Sequence, residues 1–222
     1  MNVLEYEMID LLKELKEKYG VFEIKAEYEN EGSRQTELMR LKDIAEKINL
    51  PIILKIGGVE AVTDIYNALS LGVKGIIAPM AETAFAASKF LNAINTFVPE
   101  DNQKDIEFAM NIETITAYKN IDEILNLNKI NLLSGLTVGR VDFTASLGAD
   151  RSFSNSDEMF EYCTEIFQKA KKKGLKTALG GAISPEASSF IKKLSSKNLI
   201  DKYETRKLVY HKDGIKNISE GL

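Results

Sequence analysis

Glu27, Lys55 and Glu113 each stand at the end of a short run in which apolar residues alternate with polar ones. In VFEIKAE (21–27), Phe22, Ile24 and Ala26 share one face of an extended chain, which turns Glu23, Lys25 and Glu27 to the other. In PIILKI (51–56), Ile52, Leu54 and Ile56 take the apolar face and leave Lys55 opposite. In IEFAMNIE (106–113), Ile106, Phe108, Met110 and Ile112 leave Glu107, Asn111 and Glu113 on the polar face. Where such faces meet, three strands send charge toward one axis. Charge held away from water needs a partner, a metal or a ligand. One reading is a set of lysine–glutamate pairs lining a barrel, and the other is an active site. Position supports the second, because Glu27, Lys55 and Glu113 all sit at the C-terminal ends of their strands, where parallel barrels carry catalytic groups. Asp142, just past NLLSGLTV (131–138), adds a carboxylate beside Glu113. Two carboxylates on neighbouring strand ends can share one hard divalent cation, Mg²⁺ or Mn²⁺. Asp142 reads equally well as the cap of a short turn.

The elements that must position these groups alternate along the chain. Met8, Leu11, Leu12, Leu15 and Tyr19 recur at helical spacing before Gly20, and Leu38, Leu41, Ile44, Ala45 and Ile48 mark a second helix. GVKGIIAP (72–79), KTALGG (176–181) and YETRKLVY (203–210) complete a set of seven strands. Helices are expected between them over 59–71, 82–95, 114–126 and 156–173, and after Ser184-Pro185-Glu186, a cap followed by proline inside the first turn. Strands that alternate with helices form a parallel sheet covered by helices. No GxGxxG turn follows the first strand, which disfavours an open dinucleotide-binding sheet. The expected class is α/β, a (β/α)8 TIM-type barrel with one strand reduced or missing, since MNVL is too short to supply an eighth. No linker or break in composition divides 1–222, so one domain is expected.

Composition excludes several functions. The chain carries 29 Lys+Arg against 33 Asp+Glu, a formal net charge of −4. A pI near 5.3 is unsuited to a nucleic-acid surface, which needs a basic face. A single cysteine, Cys163, rules out an internal disulfide and a cysteine-cluster metal site. No apolar run approaches the ~20 residues that span a bilayer, and MNVLEYEMID lacks the basic-then-apolar start of a secretory signal. A cytoplasmic protein without membrane or nucleic-acid partners is expected.

The text around the two carboxylates resembles a known family. Gly139 to Gly148, GRVDFTASLG, fits the pattern G-x-x-D-[LF]-[ST]-A-S-L-G, and Ile112 to Ala117 fits I-E-T-x-x-A before it. GVKGIIAPMAET (72–83) fits the strand-to-helix turn that precedes both. In this order the motifs resemble the class II 2-keto-3-deoxy-acid aldolase and citrate lyase beta-subunit family, over about residues 21–180. The resemblance implies a (β/α)8 barrel in which a divalent metal holds the pyruvate or enolate part of a substrate beside the carbon–carbon bond that is made or broken. Glu113 and Asp142 would be the metal ligands. Backbone amides of the turn containing Pro79, Met80, Ala81 and Glu82, and of Gly139 to Val141, would cradle the substrate carboxylate. The family's early Asp-x-Glu-His reads here as Lys25-Ala26-Glu27-Tyr28, so the glutamate is kept and the acid/base histidine is absent. Glu27 or Tyr28 is then the expected proton relay. The family's substrate-gripping arginine is Lys55, which supplies charge without a bidentate fork. Arg140 or Arg34 could return a guanidinium to the site, or be solvated loop arginines.

Other residues carry blander readings. His211, the only histidine, follows the last strand and reads as a surface residue. Cys163 reads as core packing, and Lys171-Lys172-Lys173 as a helix end complementing its dipole. Gly180-Gly181 is either a plain turn or an anion-binding one. The leading expectation is a metal-dependent lyase or aldolase for a 2-oxo acid or acyl substrate. The alternatives are a Schiff-base lyase through Lys55 and a barrel that binds a metal or small acid without turnover. A reduced eighth strand suggests that a subunit covers the barrel, hence a homo-oligomer.

Overall fold

A computed structural model describes residues 1–222. Eight strands, β1 (Val21–Glu27), β2 (Ile52–Lys55), β3 (Gly75–Ala78), β4 (Glu107–Ile112), β5 (Gly135–Gly139), β6 (Lys176–Gly180), β7 (Lys202–Glu204) and β8 (Leu208–His211), close in sequence order into one barrel. Helices pack outside it: α1 (Val3–Tyr19), α2 (Gln35–Glu46), α3 (Val62–Leu71), α4 (Ala84–Phe97), α5 (Glu100–Asp105), α6 (Ile115–Lys119), α7 (Ile121–Leu125), α8 (Arg140–Ser146), α9 (Asp157–Lys172), α10 (Ser188–Ser196) and α11 (Ile218–Gly221). No helix is long and apolar enough to cross a membrane.

The eighth strand is present, and it corrects the reading of YETRKLVY as one strand. A tight turn at Thr205–Lys207 splits that segment into β7, parallel to β6, and β8, antiparallel to both β7 and β1. Thr205 makes the turn, its hydroxyl accepting from the amides of Lys207 and Leu208 while its own amide donates to Leu208 O. The barrel is therefore closed by a hairpin with no helix between its last two strands. His211, at the end of the reversed strand, lies at the N-terminal face of the other seven.

Alternation sets two separate cores. Ile24, Ala26, Ile52, Leu54, Ile56, Phe108, Met110 and Ile112 face the helices within the main core, as their spacing predicts. Inside the barrel a small apolar layer of Ile53, Ile77 and Val209 is joined by Phe22 and Ala109. Phe22 was expected on the helix side. A bulge in the β1–β8 pairing between Val21 and Glu23 breaks the alternation there, so Val21 takes the outer position. Below this layer the charges form ion pairs, Lys202–Glu23 and Lys176–Glu107, both at 2.8 Å. Above it lie Lys25, Glu27, Lys55, Asn111, Glu113 and Glu204, all buried.

Glycine sets how closely β5 and β6 approach. A Cβ on Gly135 would stand 2.7 Å from the backbone oxygen of Lys176, inside any real carbon–oxygen contact. Gly135→Ala must therefore shift a strand rather than a side chain. Overpacking of this kind costs about 1–3 kcal/mol, or a fall of roughly 3–10 °C in Tm for a chain of this size. Calorimetry should find that fall, and an unchanged Tm would contradict the packing described.

Candidate active site

The upper layer opens into a cavity of about 360 Å³ at the C-terminal end of the parallel strands. Its walls are mostly polar, with Val141, Ala182 and Ile183 the apolar exceptions. Glu27 ends β1 and Lys55 ends β2, paired in register, and Glu113 follows β4 directly. Asp142 comes from the first turn of α8, which opens immediately after β5. Glu204 ends β7, and the hairpin turn adds Thr205 and Arg206. Each of these chains leaves the barrel at the same rim, which is why residues far apart in sequence meet here.

Glu113 is the most constrained of them. Its Oε1 accepts from the Met80 amide at 3.1 Å, and its Oε2 accepts from Asn111 Nδ2 at 3.0 Å. Lys55 Nζ lies 3.8 Å from Oε2. Burial pushes the Glu113 carboxyl above its ordinary range and Asp142 adds to the shift, while Lys55, the Met80 amide and Asn111 pull against it. Gly139 makes the space, since a Cβ there would lie 2.6 Å from Glu113 Oε2. Met80 reaches its position through a left-handed backbone, φ 49°.

Two ammonium groups pair with the carboxylates. Lys25 Nζ is 2.6 Å from Glu204 Oε1 and 3.5 Å from Glu27 Oε1. Burial works against the Lys25 charge, but Glu204, Glu27 and Glu113 outweigh it and hold the pKa above the usual lysine value. Lys55 Nζ is 2.5 Å from Glu29 Oε2, a partner that strand alternation had not singled out. Two buried acceptors remain without partners, Glu204 Oε2 and Asn111 Oδ1. Both belong to residues lining the cavity.

The structure brings Glu27, Lys55, Glu113, Asp142 and Gly139 into one cavity, and it adds Lys25, Asn111, Glu204, Arg151 and Arg206. Lys25 and Asn111 were legible from strand parity. Arg151 carried no signal, because it follows the GRVDFTASLG motif in an irregular segment. The turn at Pro79–Glu82 stands beside the cavity rather than in its wall. Its Met80 amide is committed to Glu113, Ala81 is buried, and Glu82 accepts from the Thr114 hydroxyl at 2.8 Å.

Three expected site residues are placed elsewhere. Tyr28 directs its hydroxyl to Gln35 Oε1, away from the cavity. Arg34 is exposed and pairs with Glu37 on α2. Arg140 is fully buried but points outward from the barrel. Its guanidinium donates to Gly181 O at 2.7 Å, Ala182 O at 3.1 Å, Ser154 O at 2.9 Å and Asn155 Oδ1 at 2.7 Å, and it stacks on Phe190. Burial lowers its pKa to about 10, which leaves it charged at neutral pH. It binds the 151–155 segment to the 180–182 turn, two walls of the cavity. His211 sits at the opposite mouth, its Nδ1 accepting from the Asp213 amide. Cys163 is buried in the core, and burial pushes its thiol up to about 12.

The sequence profile of the HpcH/HpaI aldolase/citrate lyase family matches residues 36–188, more than half of the chain. The chain belongs to that family. No curated protein has a significantly similar sequence. Among solved structures, citrate synthase SbnG superposes with a TM-score of 0.72 at 18% identity, covering 90% of this chain and 81% of SbnG. An HpcH/HpaI aldolase from Desulfitobacterium hafniense DCB-2 gives 0.70 at 14% identity, covering 90% and 80%. The protein CitE from Mycobacterium tuberculosis, in complex with magnesium and acetate, gives 0.56 at 13% identity, covering 89% and 79%. At these identities the superpositions establish the shared barrel, and the profile establishes the family, whose members are of lyase or aldolase type.

Arg140 is thus a positioning residue in this family member. Arg140→Met would leave several buried oxygens without donors, a loss on the order of 3 kcal/mol or more. Arg140→Lys should recover only part of it, because one ammonium cannot span both segments. Thermal unfolding distinguishes the outcomes, and a wild-type Tm for Arg140→Met would contradict the role assigned.

Proposed function

We propose that this chain is a divalent-metal-dependent carbon–carbon lyase of the aldolase type, acting on a 2-oxo acid or on a substrate that yields a pyruvate-like enolate. The observation that carries this reading is that Glu113, directly after β4, and Asp142, in the first turn after β5, line one cavity. Both are oxygen donors, which suits Mg²⁺ or Mn²⁺. No three His, Cys, Asp or Glu side chains converge into a cage anywhere in the chain. Glu113 and Asp142 would hold such a cation, since Mg²⁺ is commonly bound through one or two carboxylates. The orphaned Asn111 Oδ1 beside Glu113 is a further oxygen that such a site could use. When bound, the cation would supply Lewis-acid stabilisation of the charge that develops on a 2-oxo group.

The chain's own residues perform the remaining work. Lys55 stands where charge is needed to hold the substrate carboxylate, oriented by Glu29 and Glu113. Its contacts with Glu29 and Glu113 suit a counter-ion role rather than that of a nucleophile. We assign the proton transfer to Glu27, which lines the cavity at the end of β1. In the cleavage direction it accepts the proton of the C4 hydroxyl as the C3–C4 bond breaks, the bonding pair passing to the 2-oxo group as enolate. The same proton, returned to C3, completes pyruvate and restores Glu27. Lys25, 3.5 Å away, pairs with Glu27 and orients it for the first transfer.

Calorimetric titration of Mg²⁺ and Mn²⁺ should show affinity lost in both Glu113→Gln and Asp142→Asn, and retention in either would overturn the ligand pair. Lys55→Met should raise KM about 10- to 150-fold, the worth of a charge-assisted contact, with Lys55→Arg recovering part of the loss. Borohydride treatment in the presence of pyruvate should leave Lys55 unmodified. A covalent adduct there would replace this mechanism with a Schiff-base one.

A further inference from the structure

One buried carboxylate of the cavity takes no part in the mechanism above. Glu204 ends β7, beyond residue 188, where the family match stops. It is 2% exposed, and its Oε1 accepts from Lys25 Nζ at 2.6 Å while Oε2 has no partner. Gly180 leaves it room, since a Cβ there would stand 3.3 Å from Oε1. Strand β8 lies between β7 and β1, and it presents Val209, of the inner apolar layer, in register with both Glu204 and Glu23. The Glu204 carboxylate therefore reaches past an uncharged position to meet Lys25.

Pairing alone does not call for Glu204. Lys25 and Glu27 stand two residues apart on β1, so their side chains share a face, and Glu27 is already a carboxylate partner for Lys25. A further carboxylate, buried with one oxygen unpaired, destabilises the fold. What Glu204 changes is geometry. Lys25 carries three donors on a flexible four-carbon stem. Were Glu204 absent, that ammonium would close on Glu27 in a direct hydrogen-bonded pair. With Glu204 present, the hydrogen bond goes to Glu204, and Glu27 stays at 3.5 Å, in an ion-pair contact without a hydrogen bond. We infer that Glu204 is a positioning residue that draws Lys25 off Glu27, so that Glu27 is oriented by a nearby ammonium yet keeps its oxygens free to take a proton from the substrate. This rests on the assignment of proton transfer to Glu27, and it adds to the site a residue from outside the family-matched stretch.

The test is exchange of the methyl protons of pyruvate in D₂O with Mg²⁺ present. Exchange requires Glu27 to take a proton from C3, the bonding pair passing to the 2-oxo group as enolate, and to return a deuteron gained from solvent. Four chains are compared: wild type, Glu204→Gln, Lys25→Met and the double variant. A general base is worth about 10²- to 10⁴-fold in rate, so Glu204→Gln, which obstructs Glu27 without removing it, should lower the maximal rate by about 10-fold. The half-saturating pyruvate concentration should not change, because neither Lys25 nor Glu204 holds the substrate in this account. In the Lys25→Met background there is no ammonium to restrain, and Glu204→Gln should cause no further loss. That comparison decides even where Glu204→Gln alone fails to fold. An unchanged rate in Glu204→Gln, or losses of similar size in both backgrounds, would overturn the inference and leave Glu27 as the base. Undiminished exchange in Glu27→Gln, or none in wild type, would instead overturn the assignment of Glu27, and the inference with it.

Discussion

Everything at the upper end of this barrel follows from the cost of holding ionised groups out of water. A buried carboxylate or ammonium loses several kcal/mol of hydration even after the protein relaxes. The strands nonetheless deliver Lys25, Glu27, Lys55, Glu113 and Glu204 to a common axis, each nearly inaccessible. The fold tolerates them because every ammonium meets a carboxylate and Glu113 also receives two N–H groups. The compensation is incomplete. Burial still raises the Glu113 pKa, and Glu204 and Asn111 keep orphaned oxygens. Unfinished compensation of that kind is the basis on which we propose a site for a charged ligand here.

The contrast between the two ends of the barrel supports this. At the lower end Glu23, Lys202, Glu107 and Lys176 form direct ion pairs around a smaller recess of about 230 Å³. At the upper end the same residue types surround an open volume. A thin apolar layer built on Ile53, Ile77 and Val209 separates the two. The ion-pair reading of inward charge holds at both depths of the barrel, and the active-site reading is our proposal for the upper one. Arg140 contributes from outside. By holding two rim segments to each other it fixes the walls without touching the cavity.

How much of this was legible in the sequence depended on local periodicity. Strict alternation in 21–27, 51–56 and 106–113 placed Glu27, Lys55, Asn111 and Glu113 in the barrel, because a period of two admits only two faces. The bulge at Phe22 was hidden, since a bulge is a property of pairing with β8 and not of β1 alone. YETRKLVY hid its hairpin because Thr-Arg-Lys lacks the glycine, proline or asparagine that usually marks a turn. Missing that turn also concealed the eighth strand and the antiparallel closure, and left open which of Glu204, Arg206 and Lys207 reaches the mouth. Arg140 was unreadable for a different reason: at a strand-to-helix junction neither period applies, and its direction is set by the carbonyls of residues 180–182, distant in sequence.

The central claim is that the cavity stabilises negative charge on a 2-oxo acid with the help of a divalent cation. Its most direct measurement is proton exchange at the methyl group of pyruvate in D₂O, followed by NMR with saturating Mg²⁺. Exchange reports enolate formation without any need to know the physiological aldehyde or acyl partner. The account predicts loss of the methyl signal at a rate proportional to protein concentration, abolished by a chelator and restored by Mg²⁺. A rate equal to that of buffer with Mg²⁺ alone, under conditions where pyruvate occupies the protein, would contradict it.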